Sequence, residues 1–228
     1  VVNNPVWRTN LLAVRSRGLL VHEHKVPLSA GLLATAVGNF VSRKRLRHFF
    51  ERTVFSPQAG LEGGFAFSDF PTHQIALSEE NLLPAVLASG SIPLVMEGVA
   101  DIPGAPKGMY RDGGFIDYHF DFNFQAPEGL ILYPHFFPTL SAGWFDKFIP
   151  WRNVPAQNLD SVVMISPSAD MVAKLPNGKI PDRNDFKNFD NDTRIAQWQR
   201  VADASADMAE EFYECWQQDR LADVIQPF

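Results

Sequence analysis

The chain has 228 residues, 46% apolar and 20% charged, the make-up of an ordinary globular protein and not of a fibrous or disordered one. A net charge of −6 argues against a nucleic-acid partner, because phosphate binding needs a basic surface. Cys215 is the single cysteine, so neither an internal disulfide nor a CxxC metal site can form, which fits a reducing compartment such as the cytoplasm.

The chain opens on "VVNNPVWRTN" with no initiator Met and no signal-peptide pattern, and reads as a piece cut from a longer protein. No apolar run reaches the ~18 residues of a membrane span. "LLAV" at 11–14 predicts a short buried strand. A helix is predicted over 28–55, broken near Gly38 and Asn39, with Leu32, Ala36, Phe40, Leu46, Phe49 and Phe50 recurring near a 3.6 period. "THQIALS" at 72–78 predicts a strand. In "NLLPAVLASGSIP", Asn81 reads as an N-cap with Pro84 still in the first turn, and Gly90 as the stop. A strand is expected at 108–111 and another after the Gly-Gly turn. "GLILYPHF" at 129–136 and "SVVMIS" at 161–166 read as buried strands. The segment 166–192 is rich in Pro, Asn and Asp and reads as a loop. A helix closes the chain at 193–217, with Ile195, Trp198, Ala202, Ala209, Phe212 and Trp216 on one face. The alternation of strands and helices predicts an α/β class with a mainly parallel sheet.

Asp112-Gly113-Gly114 follows the strand expected at 108–111, where open α/β sheets place their sites. Asp-Gly is also a common turn dipeptide, so the carboxylate reads as either catalytic or conformational. Asp117, His119 and Asp121 alternate with aromatics. On a strand they would share one face, which fits a solvated polar face better than a metal site, and no metal or other cofactor is expected. Ser89 and Ser91 flank Gly90 but lack the outer glycines of a nucleophile elbow, and read as helix-terminal polar residues. "GLEGGFAF" at 60–67 lacks the spacing of a phosphate loop and reads as a turn. "SRKRLRHFFER" at 42–52 carries five Lys or Arg beside Phe49 and Phe50. It suits peripheral contact with an anionic membrane, or an ordinary solvated helix face.

Together, "LLPAVLASGSIPLVM" and "YRDGG" resemble the patatin-like phospholipase family. There an Ala-Ser-x-x-x-Pro segment, here Ala88, Ser89 and Pro93, precedes a strand and an Asp-Gly-Gly or Asp-Gly-Ala motif, here Asp112, Gly113 and Gly114. "NFVSRKRLRHFFERTVF", "ILYPHF", "GWFDKFIPWR" and "ISPSADMVAKLPNGKIPDR" extend the similarity over most of the chain. The resemblance implies a three-layer α/β/α sandwich around a mixed sheet, with residues 1–228 as the C-terminal portion of a single patatin-like domain. It implies hydrolysis of lipid acyl esters by a Ser-Asp dyad, with Asp112 as base. The family's G-x-S-x-G serine and Gly-rich oxyanion loop do not occur in this chain, and both are expected upstream. After Gly114 the chain reads "FIDYHFDFNF", where the family often has an Asn-Pro-containing continuation. The alternative is a patatin-like binding or interaction module that has lost catalysis. A metal-dependent hydrolase built on Asp117, His119 and His135 is a more distant third.

Overall fold

A computed structural model describes residue 2 and residues 8–57, 65–124 and 129–227. The chain groups into two compact units. The first comprises Val1–Gly129 with Leu140–Ser161, the second Leu130–Thr139 with Val162–Phe228.

The first unit runs β1 (Leu11–Ser16), α1 (Lys25–Val41), β2 (Phe50–Ser56), β3 (Phe65–Ala66), β4 (Thr72–Ala76), α2 (Glu79–Ser89), β5 (Val99–Ala100), β6 (Met109–Asp112) and β7 (Asn123–Phe124). Five strands form a mixed sheet in the order β4-β2-β1-β6-β5, and β3 pairs with β7 separately. Only β2 and β4 pair in parallel; β1–β2, β1–β6 and β5–β6 are antiparallel. The class is α/β as expected, but the sheet is not mainly parallel. The strand–helix–strand alternation that implies parallel crossovers is interrupted by 3-10 turns at Gly18–Val21 and Arg43–His48, and β2 returns antiparallel to β1.

The helix predicted over 28–55 therefore ends at Val41, and the last six residues of that span, 50–55, are strand. Every residue of β2 is buried, so Phe50 and Val54 point to one face of the sheet while Thr53 and Phe55 point to the other. Neighbouring residues of β1 divide the core in the same way. Val14 packs with Leu20, Leu28 of α1, Phe50 and Phe115. Ala13 packs with Phe55, Ala85 and Ala88 of α2, and Tyr110.

α2 is capped three residues before the expected position. Ser78 is the N-cap and Asn81 sits at the third helical position, where the two side chains satisfy each other's backbone N–H groups in a capping box. Asn81 also donates to the carbonyls of Ala76 and Pro103, which ties the helix start to the end of β4. Pro84 consequently lies inside the helix and not in its first turn. Gly90 is the C-cap as expected. The turn predicted at 60–67 falls largely outside the described residues.

In the second unit β8 (Ile131–Pro134) and β9 (Val162–Ile165) pair in parallel. β8 is only half-buried, against the expectation of a buried strand, and Leu132 is exposed. The segment read as loop holds α3 (Ala169–Lys174) and α4 (Asp185–Asn188). α5 (Asn191–Gln217), capped by Asp190, is the expected closing helix, followed by α6 (Leu221–Val224). Its covered stripe is Trp198, Val201, Met208, Phe212 and Cys215, while Ile195 and Trp216 are exposed. Two apolar stripes run along α5, and periodicity alone could not choose between them.

Candidate active site

Asp112 is the last residue of β6, paired with Ala13 of β1, so its side chain lies on the face that carries α2. The carboxylate is half-buried. Its Oδ1 accepts the Gly114 N–H at 2.8 Å, which caps the 3-10 turn Gly113–Phe115. Among the described residues no Lys, Arg or His forms an ion pair with Asp112. Burial pushes its pKa up from the ordinary carboxylate value, and the Gly114 N–H pulls only partly against it.

The Ala88–Pro93 segment lies beside this carboxylate. The Asp112 N–H donates to the Ser91 carbonyl at 3.2 Å, and Ala88, Ser91 and Pro93 are buried. The serine hydroxyls are committed to the helix end: Ser89 donates to the Val86 carbonyl and Ser91 to that of Leu87, each at 2.8 Å. Neither is presented as a nucleophile, in line with the helix-terminal reading. The two glycines do different work. A Cβ on Gly113 would lie 2.6 Å from the Leu12 carbonyl oxygen, a backbone atom that cannot yield. A Cβ on Gly114 would come 3.1 Å from Asp112 Oδ1, pressing on the carboxylate itself. Gly113→Ala is expected to cost about 2–3 kcal/mol through this overpacking, measured by urea denaturation. A cost below half that would mean that β1 and the turn are not held this closely.

Asp117, His119 and Asp121 do not form the polar face of a strand. They lie in irregular chain after the turn, and all three are buried. Asp117 accepts from Arg52 Nε at 2.7 Å and Nη2 at 2.6 Å, a two-point pair inside the protein. Arg52 also bonds Asp69 at 2.7 Å and lies 4.3 Å from the centre of the Phe67 ring. Burial works against the charge on Arg52, but the hydrogen bonds and charges of Asp117 and Asp69 outweigh it and hold its pKa above the usual value. Burial pushes the Asp117 carboxyl up while the guanidinium pulls it back; the two-point geometry is that of an ionised pair. Beside it, Asp146 accepts from Asn39 at 2.7 Å and faces Arg43 at 3.6 Å and Arg152 at 3.7 Å. His119 Nδ1 accepts the Ser141 N–H at 2.8 Å. His135 belongs to the second unit, where its own N–H donates to the Ile165 carbonyl. Among the described residues no three His, Cys, Asp or Glu side chains converge as a metal site.

No family model, curated protein or solved structure matches this chain. Asp112 offers one oxygen held by a backbone N–H, a proton affinity raised by burial and no paired cation among the described residues, features that suit a carboxylate base. The Arg52 network offers rigidity: Asp117 and Asp69 both bond its guanidinium, on the face of the sheet turned away from α2. Sequence reading overlooked Asp69 and Asp146, and it placed Arg43 and Arg52 on one membrane-facing or solvated helix, where the structure has a 3-10 turn followed by a strand that buries Arg52. The available signal for Arg52 was a pair of charged residues, Glu51 and Arg52, inside the otherwise aromatic and β-branched run "FERTVF".

Asp121 is buried 4.0 Å from Arg43. Burial, opposed by Arg43 and reinforced by Asp117 and Asp69, raises its pKa to about 6. The folded chain thus holds this proton between about pH 4 and 6, where the unfolded chain releases it. This contribution to stability is complete below that window and is lost as pH rises through it, by about 3 kcal/mol. Asp121→Asn should remove this falling limb and make the chain more stable than wild type at pH 7. Urea midpoints at pH 4 and 7 test this; an unchanged pH dependence in the variant would contradict it.

Proposed function

We propose that this chain belongs to a lipid acyl hydrolase of the patatin-like, Ser-Asp dyad type, built as a three-layer α/β/α sandwich, and that Asp112 is its base. The observation that carries the reading is the seating of Asp112. Its motif partners Gly113 and Gly114 each have a packing reason to be glycine, and its backbone is bonded to the Ala88–Pro93 segment that the resemblance pairs with it. A serine hydroxyl becomes an effective nucleophile when a base takes its proton during attack. A carboxylate with ordinary pKa is weakly basic at neutral pH, and burial without a paired cation corrects that in the needed direction. The apolar stretch after Ser91, with Ile92, Leu94, Val95 and Met96 exposed, adds support as surface on which an acyl chain would rest.

No G-x-S-x-G occurs in these 228 residues, so the serine in this reading comes from outside them. A fluorophosphonate probe, which reacts with activated serines, should label the longer gene product at one serine of a G-x-S-x-G motif and leave the 228-residue chain unlabelled. Labelling of Ser89 or Ser91 in the 228-residue chain would overturn the assignment.

A further inference from the structure

α1 is apolar on both sides. Its inward side carries Leu28, Gly31, Thr35, Gly38 and Asn39, all buried, with Leu32 and Ala36 packed beside them on the core. Its outward side carries Val26, Leu33, Val37, Phe40 and Val41, with Leu33 67% and Phe40 60% exposed. From Leu33 these recur four, seven and eight residues on, which makes one continuous stripe. The helix is not free to roll the stripe inward. A Cβ on Gly31 would already meet Leu20 at 3.0 Å, and Asn39 is bonded to buried Asp146.

The stripe has two extensions. Phe40 meets Trp151 edge-on at 5.9 Å, and Trp151 is 65% exposed. Beyond Val41 comes the 3-10 turn Arg43–His48, where Lys44, Arg45, Arg47 and His48 are exposed. An open apolar groove of about 750 Å³ lies between Leu33, Val37 and Phe49, with Arg45 and His48 on its rim. Charge is sharply segregated here. Residues 24–50 hold five of the 20 Lys and Arg and none of the 26 Asp and Glu, in a chain of net charge −6.

We propose that this face binds an anionic lipid surface. α1 lies in the plane of the interface with its aliphatic stripe among the acyl chains, Trp151 at headgroup depth, and Lys44, Arg45 and Arg47 against the lipid phosphates. Aliphatic side chains beside cations fit an amphiphile. A nucleic acid would leave the stripe in water. A second copy laid across the stripe would offer the exposed cations no acidic partner from the same segment, since residues 24–50 hold no Asp or Glu. Asp112 lies on the other face of the sheet, so this binding stands independently of the hydrolase reading.

The test is co-sedimentation of the full 228-residue chain with vesicles, of pure phosphatidylcholine or of equal parts phosphatidylglycerol and phosphatidylcholine. Binding should be at least about tenfold tighter to the mixed vesicles, from roughly 1 kcal/mol per cation at the surface, and should weaken in about 0.5 M NaCl. The double variant Lys44→Glu, Arg45→Glu should lose that preference. The double variant Leu33→Ser, Val37→Ser should lose binding to both vesicles while circular dichroism shows the fold unchanged, as both side chains are exposed. Equal affinity for the two vesicle types, or no binding by the folded chain, would overturn the proposal. So would self-association abolished by the serine variant without any vesicle binding.

Discussion

Arg52→Ala is expected to destabilise the first unit by about 3–5 kcal/mol, because it leaves the Asp117 carboxylate buried without its partner. The total stability of a domain is of order 5–15 kcal/mol, so such a loss leaves much of the population unfolded on mild heating. The size of the effect comes from desolvation and not from the attraction between the two charges. Replacing both members by apolar residues of similar volume, Arg52→Met with Asp117→Leu, should therefore recover most of the loss. Asp69 bonds the same guanidinium from a side chain that is 46% exposed, where water compensates, so Asp69→Ala should cost only about 1 kcal/mol. Urea denaturation followed by tryptophan fluorescence gives all three values. An Arg52→Ala chain within 1 kcal/mol of wild type would mean that the pair is solvated and does not hold the sheet to the chain after Phe115.

The sequence made some of this legible and concealed the rest for physical reasons. β1, β4, β6 and the stop at Gly90 were readable because short apolar runs ended in turn residues whose conformations leave little choice. β2 was misread as helix because Leu46, Phe49 and Phe50 match a helical spacing. A strand buried on both faces has no alternation to betray it. Strand direction was misread because local pattern carries no information on whether a chain returns parallel or antiparallel. The three acidic and histidine positions after Gly114 were misplaced for a related reason. Alternation suggested a wet strand, whereas Arg52, more than sixty residues earlier, draws Asp117 into the interior. Phe40 illustrates the limit of periodicity most plainly. α1 is apolar on both sides, and only the close approach at Gly31 and Gly38 decides which side faces in.

The largest functional effect belongs to Asp112→Asn. Asparagine has the same shape, and its amide oxygen can still accept the Gly114 N–H, so the turn and the contact with Ser91 should survive. The amide cannot take the proton of an attacking serine. Removal of a positioned base costs on the order of 10²–10⁴ in turnover. His119 is engaged with the Ser141 backbone and His135 lies in the second unit, so His119→Ala and His135→Ala should change turnover far less, once folding is accounted for. The decisive measurement is kcat for a short-chain p-nitrophenyl ester or a lysophospholipid, in the longer gene product and its Asp112→Asn variant, with circular dichroism showing both folded. A loss of roughly a thousandfold is predicted; a folded Asp112→Asn enzyme turning over at the wild-type rate would contradict the assignment of Asp112 as the base.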